Sequence, residues 1–136
     1  MKRRLNTHYL KVWGLNKMKN IDIIGNTPLV KLTPTGYVYA KLECYNPYGM
    51  KDRVAKHMLL SAKKAGLLNN NSTIIDTSSG TFAQGLAFVG RSMGYKVHLV
   101  VDPRIDKMTF RKLKALGVTI DMVEKMDEDG WQGTRL

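Results

Sequence analysis

From residue 28 onward, short runs of β-branched and other apolar residues alternate with longer stretches in which apolar positions recur every three or four residues. The short runs fit strands and the long ones amphipathic helices. Their alternation is the pattern of βαβ units around a parallel sheet. TPLVKL (27–32) and YVYAKLE (37–43) predict strands separated by a turn at Pro34, Thr35 and Gly36. A first helix is predicted from Lys51 to Ala65, with Val54, Met58, Ala62 and Ala65 on its buried face, lysines on the other, and Gly66 as its stop. STIID (72–76) reads as a buried strand and SSGT (78–81) as a turn. FAQGLAFVGRSM (82–93) reads as a helix so apolar that it is covered on most sides, with Gly85 and Gly90 allowing close approach to the sheet. KVHLVV (96–101) alternates too little for a half-exposed strand and is expected at the centre of the sheet. IDKMTFRKLKALG (105–117) predicts a third helix closed by Gly117, and VTIDMV (118–123) a further strand.

After residue 123 the chain runs through EKMDEDG into WQGTRL, where another helix is expected to start. A right-handed crossover would return that helix to another strand, so the pattern reads as ending midway. There is no internal repeat and no low-complexity tract.

The 136 residues are 43% hydrophobic, enough for one domain with a core. No apolar run approaches the roughly 18 residues of a membrane span, and the single cysteine, Cys44, has no internal disulfide partner. A reducing, cytoplasmic setting fits these features, with Cys44 a structural free thiol at a strand end. His8, His57 and His98 show no metal-ligand spacing, and no GxGxxG follows a strand, so the pattern predicts neither a metal site nor a dinucleotide site.

The formal charge of +11 raises a nucleic-acid reading, and its distribution reduces it. Residues 1–20 carry six basic residues and no acidic ones, which leaves 16 basic against 11 acidic residues, a net of +5, for the rest. The domain itself is only mildly basic and lacks interleaved aromatics. Residues 1–20 therefore read as a disordered extension before a domain at 21–136, with a functional basic tail or a targeting segment as the alternatives.

Two loops carry candidate chemistry. NPYGMKDR (46–53) puts Lys51 at a helix start, where an ammonium faces the positive end of the macrodipole at a cost of a few tenths to about 1 kcal/mol. That position favours the free amine, the form needed for Schiff-base chemistry with a carbonyl cofactor such as pyridoxal phosphate. A solvated surface lysine is the plainer alternative. The turn Ser78–Thr81 offers hydroxyls, a glycine and free backbone N–H groups at the start of the next helix, suited to a carboxylate or phosphate, or else serving as a simple N-cap. Both loops fall where open α/β sheets bind ligands, outside the carboxyl ends of the strands.

Five segments, IGNTPLVKL (24–32), NPYGMKDR (46–53), SSGTFAQGLA (78–87), GYKVHLVVDP (94–103) and RKLKALGV (111–118), occur in an order that closely resembles the N-terminal part of the cysteine synthase family. The resemblance covers about residues 21–123. It implies a three-layer α/β/α architecture with a mainly parallel sheet, like the small N-terminal domain of fold type II pyridoxal-phosphate enzymes. It also implies that Lys51 holds the cofactor covalently and moves the substrate's α-proton as acid and base. Ser78, Ser79, Gly80 and Thr81 would grip the substrate's α-carboxylate, with Thr81 also at the cofactor. The family's chemistry eliminates a β-leaving group from a serine-derived amino acid and adds a nucleophile. Its members are commonly homodimers.

Three features depart from the family pattern. NPxGSxKDR is usual, whereas Met50 alone fills the gap before Lys51. Thr81 replaces an asparagine that bonds the cofactor's ring hydroxyl. Members are more than twice this length, so the glycine-rich phosphate loop, the residue facing the pyridine nitrogen and most of the larger domain have no counterpart here. TPLVKL is then expected to lack a strand partner and to leave an apolar edge. The alternative function is a non-catalytic or vestigial fragment acting at most as a binding module, with a tail that could contact nucleic acid.

Overall fold

The computed structural model describes residues 20–126, 128 and 130. The basic tail through residue 19, and WQGTRL with the helix expected to run into it, lie outside the described residues.

A short 3₁₀ turn at Asn20–Ile23 leads into a hairpin of β1 (Leu29–Lys31) and β2 (Tyr39–Lys41), followed by a second 3₁₀ turn at Glu43–Tyr45. Then come α1 (Asp52–Lys64), β3 (Thr73–Asp76), α2 (Thr81–Ser92), β4 (Lys96–Val101), α3 (Lys107–Ala115) and β5 (Thr119–Met122). The chain is thus of the α/β class with a mainly parallel sheet. β3, β4 and β5 form that sheet with β4 in the middle, as KVHLVV predicted.

Two successive crossovers in one direction put their helices on one face of the sheet. Ile74 of β3 and Val97, Leu99 and Val101 of β4 point to that face and are buried with Ala83, Leu86, Ala87 and Val89 of α2 and Leu113 of α3. The opposite face, with Ile75, His98 and Asp121, carries no helix among the described residues, which therefore supply two of the three layers expected. STIID was expected to be buried throughout, but only its inward positions are: Ile75 is 66% exposed, because this edge strand is covered on one side alone. His98 on that open face was likewise expected in a buried strand. It is half-buried instead, with Nε2 2.7 Å from Asp121 Oδ2.

The strand predicted to lack a partner has one. β1 pairs antiparallel with β2 in the register Leu29↔Lys41, Val30↔Ala40, Lys31↔Tyr39. The apolar exposure was foreseen correctly and its cause was not. A two-stranded ribbon satisfies its inner backbone groups, but among the described residues no third element covers Leu29, Leu32, Val38 and Tyr39.

The buried face of α1 also differs from the expected one. Asp52, Ala55 and Leu59 are buried, while Val54 and Met58 are 41% and 51% exposed. Two stripes about one residue apart both satisfy a helical period, and the choice was made by α2. Gly85 leaves a gap on the surface of α2, and the start of α1 enters it. A Cβ on Gly90 would lie 2.6 Å from Val97 Cγ2, so this glycine is pressed to the sheet as expected. Gly85 is pressed instead to α1, where a Cβ would lie 2.8 Å from Asp52 Oδ1 and 3.1 Å from its Cα. Nor do all the lysines of α1 face solvent, since Lys56 donates its Nζ to the Ile24 carbonyl at 2.9 Å.

Candidate active site

The contacts of the two glycines set the direction of the helices. Asp52, at the start of α1, lies on Gly85 near the start of α2, and Leu59, a turn or two later, lies beside Gly90. The helices run side by side in the same sense, so both N-termini open at the carboxyl edge of the parallel sheet. Lys51 and the 78–81 turn therefore lie at one end of the molecule.

Lys51 occupies the N-cap position of α1 with φ −79° and ψ −13°, makes no side-chain capping bond, and is exposed. Its amine has no hydrogen bond or ion pair among the described residues. The backbone before it is held firmly. Tyr48 donates its N–H to Asp52 Oδ2 at 2.7 Å, Asp52 donates its own N–H to the Gly49 carbonyl at 3.2 Å, and Gly49 takes a φ of +119°. The Tyr48 ring leans on Phe88 of α2 with centroids 5.7 Å apart. Burial pushes the Asp52 carboxyl above its ordinary value, with the Tyr48 and Gly49 N–H groups acting in the opposite sense. Burial, with the Asp52 charge nearby, raises the Tyr48 phenol.

On the other side of this edge, Thr77, Ser78 and Ser79 are half-buried and lead to Gly80, the N-cap of α2; Thr81 is its first helical residue and is exposed. The N-cap residue of α2, Gly80, has no side chain with which to cap the helix. The positive end of the helix dipole lies at this turn, and the space beside Gly80 is open, with nothing within 4 Å of a Cβ built there. An anion of carboxylate size suits this end.

Deeper in α2, the buried Gln84 donates its Nε2 to Thr109 Oγ1 at 3.2 Å, joining the helix after β3 to the helix after β4. Between β4 and α3, Arg104 holds the buried Asp102 with Nε at 3.0 Å and Nη2 at 3.2 Å.

Sequence reasoning missed the frame around Lys51. Glu43 accepts from Thr27 Oγ1 at 2.9 Å, from Asn46 Nδ2 at 2.8 Å and from Arg53, while Asn46 Oδ1 accepts the Gly25 N–H at 2.9 Å. This network fastens the IGNTP segment and the NPYG turn to α1. The signal available was the set of polar residues inside otherwise apolar motifs, Thr27, Asn46 and the Asp–Arg pair after Lys51. Polar residues in such places are retained when they are fully bonded.

The donor set fits part of a pyridoxal-phosphate site. A primary amine suits the aldehyde, and the start of α2, with open space beside Gly80, suits a carboxylate. No second glycine-rich loop for a phosphate stands at this edge among the described residues. No group of three or more His, Cys, Asp or Glu able to hold a metal occurs among them either.

The fold is that of an open-sheet α/β protein, a class in which ligands bind at the carboxyl ends of the strands. Within that class the chain belongs to the pyridoxal-phosphate dependent enzyme family, whose description matches residues 21–135. It is similar to solved structures of three fold type II enzymes. One is a hydrogen sulfide-producing enzyme from Fusobacterium nucleatum (33% identity, TM-score 0.72, covering 78% of this chain and 37% of that one). Another is an O-ureido-L-serine synthase (32%, 0.70, 77% and 35%). The third is an O-acetylserine-dependent cystathionine β-synthase from Helicobacter pylori (28%, 0.72, 86% and 41%). The chain thus spans well under half of the length of each.

Proposed function

We propose that this chain carries the lysine-bearing, carboxylate-binding half of a cysteine-synthase-like site acting on a serine-derived amino acid by β-elimination and replacement. The observation that carries the reading is the seat of Asp52 on Gly85, which sets Lys51 and the Ser78–Thr81 turn at the same edge. Family membership and the similarity to enzymes named for O-acetylserine and O-ureidoserine chemistry support it.

In this reading Lys51 anchors pyridoxal phosphate and moves the proton at the substrate's Cα. Ser78, Ser79, Gly80 and Thr81 orient the α-carboxylate against the start of α2. When bound, the cofactor supplies the electron sink for charge at Cα. Thr81, shorter than the asparagine usual at its position and without an amide, offers the ring hydroxyl a weaker partner. Among the described residues no cradle for the phosphate and no partner for the ring nitrogen stand at this edge. In this reading the described residues carry a half-site that selects its cofactor without turnover.

The test is reduction with borohydride after incubation with pyridoxal phosphate, with peptide mapping beside a Lys51→Ala control. A stoichiometric adduct confined to Lys51 is expected, with no cysteine formed from O-acetylserine and sulfide. Adducts scattered over many lysines would refute the half-site, and sustained cysteine formation would refute its lack of turnover.

A further inference from the structure

Lys51 has no anchor of its own: it is exposed, caps nothing and bonds to nothing among the described residues. Whatever fixes its direction must act through neighbouring backbone, and the residue immediately after it is the most deeply buried acid of α1. Asp52 is fully buried, yet only one of its two carboxylate oxygens is bonded by the protein. Oδ2 takes the Tyr48 N–H, closing the 48–52 turn over Lys51. Oδ1 is buried without a hydrogen-bond partner, directed at the bare backbone of Gly85. An unbonded oxygen on a buried acid opposes folding, so stability alone does not explain the residue. Its shape and charge do explain the geometry. The carboxylate is short enough to clear Gly85, accepts a charge-assisted bond from the turn, and places an acid in the first turn of α1, where the macrodipole favours it.

We propose that Asp52 is the positioning residue for Lys51: its Oδ2 locks the turn that carries the lysine, and its close seat on Gly85 registers that turn against the carboxylate-binding start of α2. This rests on the reading of Lys51 as the reactive lysine, and it adds that two residues touching neither substrate nor cofactor set where the amine points. An asparagine at 52 would turn an NH₂ toward Gly85 with no acceptor opposite. An alanine at 85 would meet Asp52 within 2.8 Å and push the two helix starts apart.

The experiment needs no cofactor. The full chain and its variants are labelled with trace acetic anhydride, and the acetylation rate of Lys51 is read against the exposed lysines 63 and 64 at the far end of α1. Amide hydrogen exchange is followed over residues 48–51. Gly90→Ala is the control, since its new Cβ strikes Val97 at 2.6 Å and strains α2 away from Lys51.

Asp52→Asn and Gly85→Ala are each expected to speed exchange over 48–51 by about tenfold, the loss of one charge-assisted bond, and to shift the Lys51 ratio severalfold. Gly90→Ala should leave both at wild-type values, even at a comparable loss of melting temperature. If both variants behave as wild type, or if Gly90→Ala moves the readings equally, Asp52 is merely structural and the proposal is overturned. Should Asp52→Asn fail to fold, Gly85→Ala decides the matter by the same comparison. If neither folds, exchange in the wild type decides: a Tyr48 amide as fast as those of the exposed 35–37 turn overturns the proposal, and a protected one supports it. Borohydride trapping that finds no preference for Lys51 refutes the proposed function instead, and leaves the exchange and acetylation results to judge Asp52.

Discussion

Arg53 holds Glu43 with two arms, Nε to Oε2 at 2.9 Å and Nη2 to Oε1 at 2.6 Å. The pair ties the first turn of α1 to the segment that precedes it. Arg53 foremost, then Thr27 and Asn46, holds the Glu43 carboxyl below its ordinary value of 4.5, against a smaller opposing effect of burial. A carboxylate with a depressed folded pKa contributes stability that is present above the unfolded value and lost as pH falls from there through the folded value. Asp52 behaves oppositely. Its folded pKa is raised above 3.8, so its contribution is present below that value and lost as pH rises through the folded one. In urea titrations across the acid range, Glu43→Gln should flatten the loss of stability with falling pH, and Asp52→Asn should steepen it. Equal slopes for wild type and Glu43→Gln would show that solvent screens this exposed pair into irrelevance.

Adjacent positions on α1 should differ sharply. Leu59 is buried beside Gly90 while Met58 faces outward. Leu59→Ala is expected to cost about 2–5 kcal/mol and Met58→Ala no more than about 0.5 kcal/mol, measured by chemical denaturation. Similar costs at the two sites would mean that α1 lies rotated from the orientation described.

Gly90→Ala should destabilise the chain despite the better helix propensity of alanine, worth about 1 kcal/mol. Its Cβ would stand 2.6 Å from Val97 Cγ2, and overpacking of that kind costs about 1–3 kcal/mol. Trimming the partner in a Gly90→Ala/Val97→Ala double variant should return part of the loss. A neutral or stabilising Gly90→Ala, read from urea midpoints, would contradict this packing.

The buried bond from Gln84 to Thr109 should appear as coupling in a double-mutant cycle of Gln84→Ala and Thr109→Val. A value of about 0.5–1.5 kcal/mol is expected, with each single variant leaving one buried group unpaired. Strict additivity would mean that the two side chains do not interact in solution.

The one-dimensional pattern located the elements well, because strand and helix periods, glycine stops and the order of strand and helix are local properties of the chain. The turns at 34–36 and 78–81, the apolar helix and the central place of KVHLVV all belong to that kind. The candidate site was legible to the extent that chemistry is written in residue type, as with a lysine after a Pro–Gly turn and hydroxyls and glycine before a helix. The frame that holds it was not, since Thr27 is 16 residues from Glu43 and meets it, with Asn46 and Arg53, only when the chain folds.

The alternation of α and β elements, the family motifs and the residues available for chemistry are all written in the order of the residues. Tertiary structure alone decided which stripe of α1 goes inside, that Gly85 receives α1 and not the sheet, that Ile75 stays exposed, and that the ribbon at Leu29–Lys31 finds a partner in Tyr39–Lys41. The physical reason is common to all four. A period or a propensity states that a surface will be buried, and only the shape and position of the opposing element state against what.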